Sequence, residues 1–494
     1  MKYPRIKLTK NIIFICFILL VALILRLYRL GANDLWNDEV YSVFIANDFW
    51  GSWNPPLYFA GLHYWVKVFG LSEFSLRLPS AIFGAGSVLL LFMFGKRLFD
   101  EKIGLIASLI LCLSSFNIWY SQEARPYTLQ VFFSILSTYI LYRAITERKK
   151  LLWIYFSLVS ILALYSNINY FHFFLLITQL FLAVFFLGKK MRVGILSFAA
   201  ALVLFLPFLF NLISKAYCIK NGFWIPVPSA KSLLITVGNF NLGYNSNYAS
   251  YMFSNILCLF LLIASIYNIK RRDQVKNFIA AASLFILPIL LVFFISKLWV
   301  PVYVDRGLII FSPYYYIILA LGLDFIGKKF SHIIIVLFLV ILMSFPLTAY
   351  YTNYLNMPWT YHMGAHLKKP FKPAVYLIDL NSREGDFVAH TNPSSPAVFT
   401  FYSKKNSLKQ NFIFAPGMID SSWNRPYTTS ERAFCVSDID NLNFSRLWVV
   451  ASSWSRNGIL DDNSREVKDW LDKNFKLDFS EEFDGLWVFR YVKK

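Results

Sequence analysis

The sequence predicts a polytopic α-helical membrane protein of about eleven transmembrane helices, followed by a C-terminal extracytoplasmic α/β domain. Three observations carry this reading. Of 494 residues, 57% are hydrophobic and 15% charged, against about 25% charged in an ordinary soluble domain, and mean hydropathy is +0.51. The apolar residues fall in runs of about 17–22, the length that crosses a bilayer's hydrocarbon as a helix. The basic residues are also unevenly placed. From residue 351 onward, 18 Lys and Arg face 16 Asp and Glu, whereas the preceding part holds 30 against 12. That excess sits mostly in short loops on one side, as the positive-inside rule describes. The net charge of +20 therefore calls for no nucleic acid, and the composition excludes a soluble or disordered chain.

The spans are read at 11–29, 75–95, 103–120, 127–145, 151–166, 168–187, 193–213, 250–268, 278–296, 307–326 and 331–350. The first follows the basic stretch MKYPRIKLTK with no small-residue cleavage site after it, so it is read as an uncleaved helix. With the N-terminus in the cytoplasm, 20 basic residues lie inside and 10 outside. An odd number of spans then puts Tyr351 onward outside. The expected domains are 1–350, spanning the membrane, and 351–494, extracytoplasmic.

Three outer segments are more than short turns. The first, 31–77, holds Trp36-Asn37-Asp38-Glu39, the pair Pro55-Pro56 and an apolar stretch Leu57–Phe69. That stretch is too short to span, so it lies at the interface or re-enters. The second is the corner from Trp119 to Tyr127, and the third the polar loop from Ser214 to Asn247. In the tail, Ala374–Leu380 reads as a helix end and Glu466–Phe475 as an amphipathic helix. Phe387–His390 and Leu447–Ser452 read as strands, and 477–483 with 486–492 as a hairpin. The chain has no internal repeat, which argues against inverted-repeat transporters.

Several polar residues stand where a membrane chain rarely spends charge. Asp38 and Glu39 are adjacent, so on a helix or turn they point in different directions. One can face a cavity, suited to removing a proton from an attacking hydroxyl, while the other makes structural bonds. The plainer alternative is a solvated loop pair. In SQEARPYT, residues 121–128, Arg125 can fork onto a phosphate and Glu123 can hold an acceptor, a sugar hydroxyl or a cation. Alternatively the two close a pair of helix ends. Asp305-Arg306 opens the tenth span on the same outer face, where charge tends to mark a cavity or a partner, unless it snorkels to headgroups. Arg26, Arg29 and Arg77 lie at the same depth, and snorkelling is favoured for the first two. His362 and His366 have the i, i+4 spacing of a metal pair but no third ligand, so no metal site is assigned. His63 and His172 read as satisfied interhelical residues. Together, carboxylates and arginines on one outer surface suit a phosphate-bearing lipid and a nucleophile that needs a base.

The stretches LWNDEVYS, NPPLYFAGLHYWVKVFGLSEFSLRLPSAIFG and FNIWYSQEARPYTL resemble the bacterial GT-C glycosyltransferases. The nearest group is the mannosyltransferase-like membrane proteins, with protein O-mannosyltransferases and lipid A aminoarabinose transferases further off. DRGLIIFSPYYYIILALGL resembles the family's Arg-bearing span, and FKPAVYLIDLNSREGDFVAH the start of its extracytoplasmic tail. The resemblance implies a transferase moving a hexose or pentose from a polyprenyl-phosphate donor to an acceptor hydroxyl, with inversion, on the outer face of the cytoplasmic membrane. It implies Asp38 as the catalytic carboxylate with Glu39 beside it, and Arg125 and Arg306 on the donor phosphate. Glu123, Asn54 and Tyr127 would contact substrate. The implied acceptor is a lipid, a cell-envelope glycan or a protein, with membrane lipids as surroundings. No cofactor is expected; a divalent metal is left open. The alternative is a flippase or transporter for lipid-linked sugars without transfer chemistry. Three departures stand out: Asn54 replaces the His or Lys usual before Pro-Pro, the stretch from Asp48 to Asn54 is short, and Gly307 follows Arg306 where Tyr is usual.

Overall fold

The computed structural model describes residues 10–52, 54–167, 171–188, 192–220, 225–269, 272–352, 368–405, 407–416, 434–442, 444–452 and 459–494. Its contacts divide the chain into two compact units: Met1–Leu30 with Ile45–Ala365, and Gly31–Phe44 with His366–Lys494. Compared with the expected 350/351 boundary, the stretch that carries Asp38 and Glu39 groups with the tail.

In the first unit, six helices among the described residues are long and apolar enough to cross a membrane. They are Glu73–Leu98, Tyr127–Glu147, Tyr248–Tyr267, Asp273–Leu298, Asp305–Lys329 and His332–Tyr351. A seventh is added if Glu101–Leu113 and Ser115–Ser121, bent by 61°, cross as one. The expected count of eleven is not reached by this measure. Asn11–Leu27, Lys150–Leu164, Phe171–Leu187 and Gly194–Leu209 are apolar but at most 17 residues long. At about 1.5 Å per residue the first three reach roughly 25 Å, short of the roughly 30 Å hydrocarbon core, whereas the last lies within the 29-residue helix Arg192–Lys220.

Side-chain caps set where these helices begin. Ser72 Oγ accepts the Ser75 N–H (3.2 Å), Asp100 Oδ1 that of Ile103 (2.9 Å) and Ser114 Oγ that of Asn117 (3.3 Å). The cap at Ser114 starts a helix in a new direction, which leaves the carbonyls of the preceding turn without intrahelical partners. Arg26 supplies them. Its guanidinium donates to Leu111 O (3.2 Å), Cys112 O (3.3 Å) and Ser121 Oγ (3.2 Å), and the side chain is fully buried. Arg26 therefore does not snorkel; the helix break consumes it. Arg29 is exposed and donates to Tyr351 O. Arg77 is buried and donates to Leu30 O.

Pro56–Phe69 is a short helix with Tyr64, Val68 and Phe69 exposed. The expected polar loop from Ser214 to Asn247 instead holds the helix Ala230–Leu242, begun by a reciprocal cap between Ser229 and Ser232. The segment Asp305–Lys329 is almost wholly buried, and its three consecutive tyrosines explain how it stays there. Tyr314 OH bonds Thr138 Oγ1 (2.6 Å), Tyr315 OH donates to Asn241 Oδ1 (2.9 Å), and Tyr316 OH donates to Phe240 O (2.8 Å). Each phenol buries a large apolar ring while satisfying its one polar atom, and the run fixes the helix that begins at Asp305-Arg306.

In the second unit a six-stranded sheet is formed among the described residues: β1 Phe387–His390, β2 Lys409–Phe414, β3 Phe434–Cys435, β4 Leu447–Ser452, β5 Phe475–Phe483 and β6 Leu486–Lys493. The order is β3-β2-β1-β4-β6-β5. The first four strands pair in parallel, and β6 pairs antiparallel with β4 and β5. β1 and β4 coincide with the strands read from the sequence. Both are buried along their whole length, as parallel strands covered on both faces must be. Val467 and Leu471 of the helix Asp462–Asn474 cover one face, Ala374, Val375 and Ile378 of the helix Phe371–Asn381 the other. The β5–β6 hairpin turns through Asp484 (φ 42°) and Gly485 (φ 82°), the positive-φ pair that a tight two-residue turn needs.

Candidate active site

In the second unit, Asp38 and Glu39 sit in the first turn of the helix Asn37–Asn47. Glu39 reaches back so that its Oε2 accepts the Trp36 N–H (3.3 Å), half of a capping box. Its side chain is fully buried, and Lys368 Nζ, itself 8% exposed, lies 3.7 Å from the same oxygen. Two further bonds tie this loop to the tail. Asp34 Oδ2 accepts the Lys372 N–H (2.7 Å), capping the helix Phe371–Asn381, and Leu35 N–H donates to Tyr402 OH (2.7 Å). Asp38 is only half-buried. Burial, and next the Asp38 charge, push the Tyr41 phenol well above its usual range.

In the first unit, Tyr127 opens the helix Tyr127–Glu147 right after Pro126, and its ring is buried. The Arg125 guanidinium lies 5.7 Å from the ring centroid and that of Arg306 5.9 Å, both within cation–π range. Two half-buried positive charges thus stand on one aromatic ring, although they come from residues 181 positions apart. Beside them the Tyr120 ring meets that of Tyr127 at 4.8 Å, and Tyr120 OH bonds Tyr244 OH (2.6 Å). Glu123 is buried, its Oε1 accepting from Trp119 Nε1 (2.7 Å). Asp305 is clamped by Thr236 Oγ1 (2.5 Å) and Asn239 Nδ2 (2.8 Å). It lines a cleft of about 250 Å³ with Ser229, Lys231, Ser232 and Tyr303.

The structure therefore brings Arg125, Tyr127 and Arg306 together in the first unit and sets Asp38 and Glu39, with Lys368, in the second. Asn54 makes local contacts, its amide donating to Ser52 Oγ (2.9 Å). Gly307 explains its own departure: a Cβ there would stand 1.9 Å from the Phe171 ring, so the larger residue usual at this place does not fit.

Sequence reading singled out Asp305 with Arg306 but missed Lys368 and several buried polar atoms of the first unit. Thr128 Oγ1, Gln130 Nε2 and both ring nitrogens of His172 have no hydrogen-bond partner among the described residues. His172 is thus not the satisfied residue expected, because no polar group of a neighbouring helix meets its ring. His63 is satisfied, its Nδ1 lying 3.0 Å from Ala46 O. His362 and His366 lie outside the described residues, among which no three His, Cys, Asp or Glu side chains form a metal-binding group.

Residues 54–212 match the family described as dolichyl-phosphate-mannose-protein mannosyltransferase. An uncharacterised protein of Aquifex aeolicus (strain VF5) is 30% identical over 27% of this chain and 30% of its own length. YkcB of Bacillus subtilis (strain 168), a proposed mannosyltransferase, is 27% identical over 28% of this chain and 21% of its own. The chain thus matches less than a third of either curated relative. Among solved structures, ArnT from Cupriavidus metallidurans, bound to undecaprenyl phosphate, superposes with a TM-score of 0.61 at 12% identity. That match covers 96% of this chain and 97% of ArnT. Likeness over nearly the whole of both chains, together with the motifs of the first outer loop and the Trp119–Tyr127 corner, identifies the fold of this protein as that of the GT-C glycosyltransferases.

Proposed function

We propose that this chain transfers a hexose or pentose from a polyprenyl-phosphate carrier to an acceptor hydroxyl on the outer face of the cytoplasmic membrane. The N-terminus is then cytoplasmic and the tail extracytoplasmic. The observation that supports the reading most is the pair of guanidinium groups on the Tyr127 ring. Such a cluster binds a phosphate monoanion or dianion and has no obvious purpose facing lipid.

In the proposed reaction the acceptor oxygen attacks the anomeric carbon from the face opposite the phosphate and inverts it. Its proton passes to Asp38. The bond from anomeric carbon to phosphate oxygen breaks, and the polyprenyl phosphate leaves with the electron pair. Arg125 and Arg306 act where negative charge grows, which is where fixed cations accelerate such a step. The steps as written need no redox group, and chelation of divalent ions by EDTA is expected to leave turnover unchanged.

The test is transfer by the purified protein offered polyprenyl-phosphate mannose, glucose and arabinose with a lipid or glycan acceptor, wild type beside Asp38→Asn. Losing a general base lowers rates by about 10²–10⁴-fold. One donor consumed by the wild type and spared by the variant supports the proposal. Movement of lipid-linked sugar across vesicles without transfer would replace it with the flippase reading.

A further inference from the structure

We infer that Lys368 is a positioning residue: by pairing with the buried Glu39 it locks the first turn of the helix Asn37–Asn47 and with it the placement of Asp38, the proposed base. The inference rests on the transferase reading proposed above and decides which of the two acids does the chemistry.

Neighbouring side chains on a helix project about 100° apart, so a turn that buries one acid cannot bury its neighbour in the same place. Here the two are divided. Glu39 is fully buried, its Oε2 holding the Trp36 N–H at 3.3 Å and standing 3.7 Å from Lys368 Nζ. Asp38 is half-buried, and its backbone carbonyl accepts the Ser42 hydroxyl (3.1 Å), a bond within its own helix. An acid already committed to a backbone amide and a buried ammonium is a poor proton acceptor for a substrate hydroxyl. The half-buried one is the better placed.

Lys368 is the last link of a docking already described. Asp34 caps the helix that begins at Phe371, and Leu35 bonds Tyr402. Those two contacts fix where the loop runs. Glu39 adds a hold on the helix turn that follows, because it is rooted at both Trp36 and Lys368. A carboxylate with no counter-charge is strongly disfavoured in a dry setting, whereas replacing both members of a buried ion pair by neutral groups of similar shape is often tolerated. Removing Lys368 alone should therefore drive Glu39 out of its seat and turn Asp38 with it. Removing both charges should not.

The experiment compares Lys368→Met, Lys368→Arg, Glu39→Gln and the double variant Lys368→Met/Glu39→Gln in the full-length protein, each checked for folding by thermal unfolding. kcat and donor KM are measured separately. A base misplaced by about 1 Å loses on the order of 10²-fold in rate, so Lys368→Met is expected to lower kcat by about that factor with donor KM nearly unchanged. Lys368→Arg is expected to keep most of the rate, and the double variant to recover most of what Lys368→Met loses. If Lys368→Met does not fold, the double variant against Glu39→Gln carries the comparison. A Lys368→Met protein with full kcat, or a double variant no faster than the single, overturns the inference. An inactive Glu39→Gln beside an active Asp38→Asn also overturns it and makes Glu39 the base, while the transferase reading stands. Absence of transfer from wild type with every donor would instead count against that reading.

Discussion

The two units carry charge in opposite ways. The first presents cations: Arg125 and Arg306 stay half-exposed around a buried ring, each close to a helix end. The second hides an anion, with Glu39 fully enclosed and Lys368 almost so. A half-exposed guanidinium keeps part of its hydration, which a phosphate oxygen can replace. An enclosed ion pair exchanges nothing, and its value is rigidity. The contrast teaches that residues next to one another in sequence can do unlike work. Asp38 and Glu39 share a turn, yet one is half-buried and the other is a fully buried strut.

The largest effect should come from the exchangeable cations. Replacing both arginines (Arg125→Gln with Arg306→Gln) is expected to lower kcat/KM by about 10³-fold or more, since a single donor to a developing oxyanion is worth about 10²–10³. Lysines at both places should restore only part, for want of the planar fork. Steady-state kinetics with one donor check this. If Gln at both positions costs less than tenfold, the cluster is not the phosphate site.

A medium effect is expected at His172, which separates stability from function within the first unit. A buried imidazole without partners destabilises by about 1–3 kcal/mol, so His172→Phe should hold or raise the thermal midpoint. If transfer falls while the midpoint rises, the ring contacts a substrate. If neither changes, it is only a packing defect.

The smallest effect concerns the second unit. Burial pushes His390 down to about 3 from its ordinary 6.5. Gln410 and Ser395 bond its ring nitrogens. Between those values the unfolded tail binds a proton that the folded tail refuses. Stability is therefore full above pH 6.5 and falls as pH drops toward 3, by up to about 1.4 kcal/mol per pH unit from this group. Asp386 adds loss in the same direction at the acid end: burial opposes its ionisation, but Arg446, the Arg383 amide and Trp448 outweigh it and hold its carboxyl low. Urea unfolding of the intact protein, read by deuterium labelling of β1, should show the slope, and His390→Gln should flatten it above pH 4.

Much of this was legible in the sequence, and the reasons are local. Apolar runs gave the long helices, and the largely apolar stretches Phe387–His390 and Leu447–Ser452 gave the covered strands. SQEARPYT and DRG placed both arginines at helix ends. What could not be read depends on distant partners. The task of Arg26 exists only because the helix breaks at Ser114, and a span list that runs through 103–120 hides that break. The partner of Glu39 is a lysine 329 positions away, in a stretch with no motif of its own. Of the segments read as spans, 11–29 and 151–166 end two residues early, at Leu27 and Leu164.

The most direct test of the division of labour is the binding of sugar-free polyprenyl phosphate to wild type, to the Arg125→Gln/Arg306→Gln variant and to Asp38→Asn, by titration calorimetry in one detergent. If the arginines hold the phosphate and Asp38 only moves a proton, the arginine variant should bind at least about tenfold more weakly, a loss of about 1.4 kcal/mol. Asp38→Asn should then bind as wild type does. Equal binding by all three, or a loss confined to Asp38→Asn, would contradict the account.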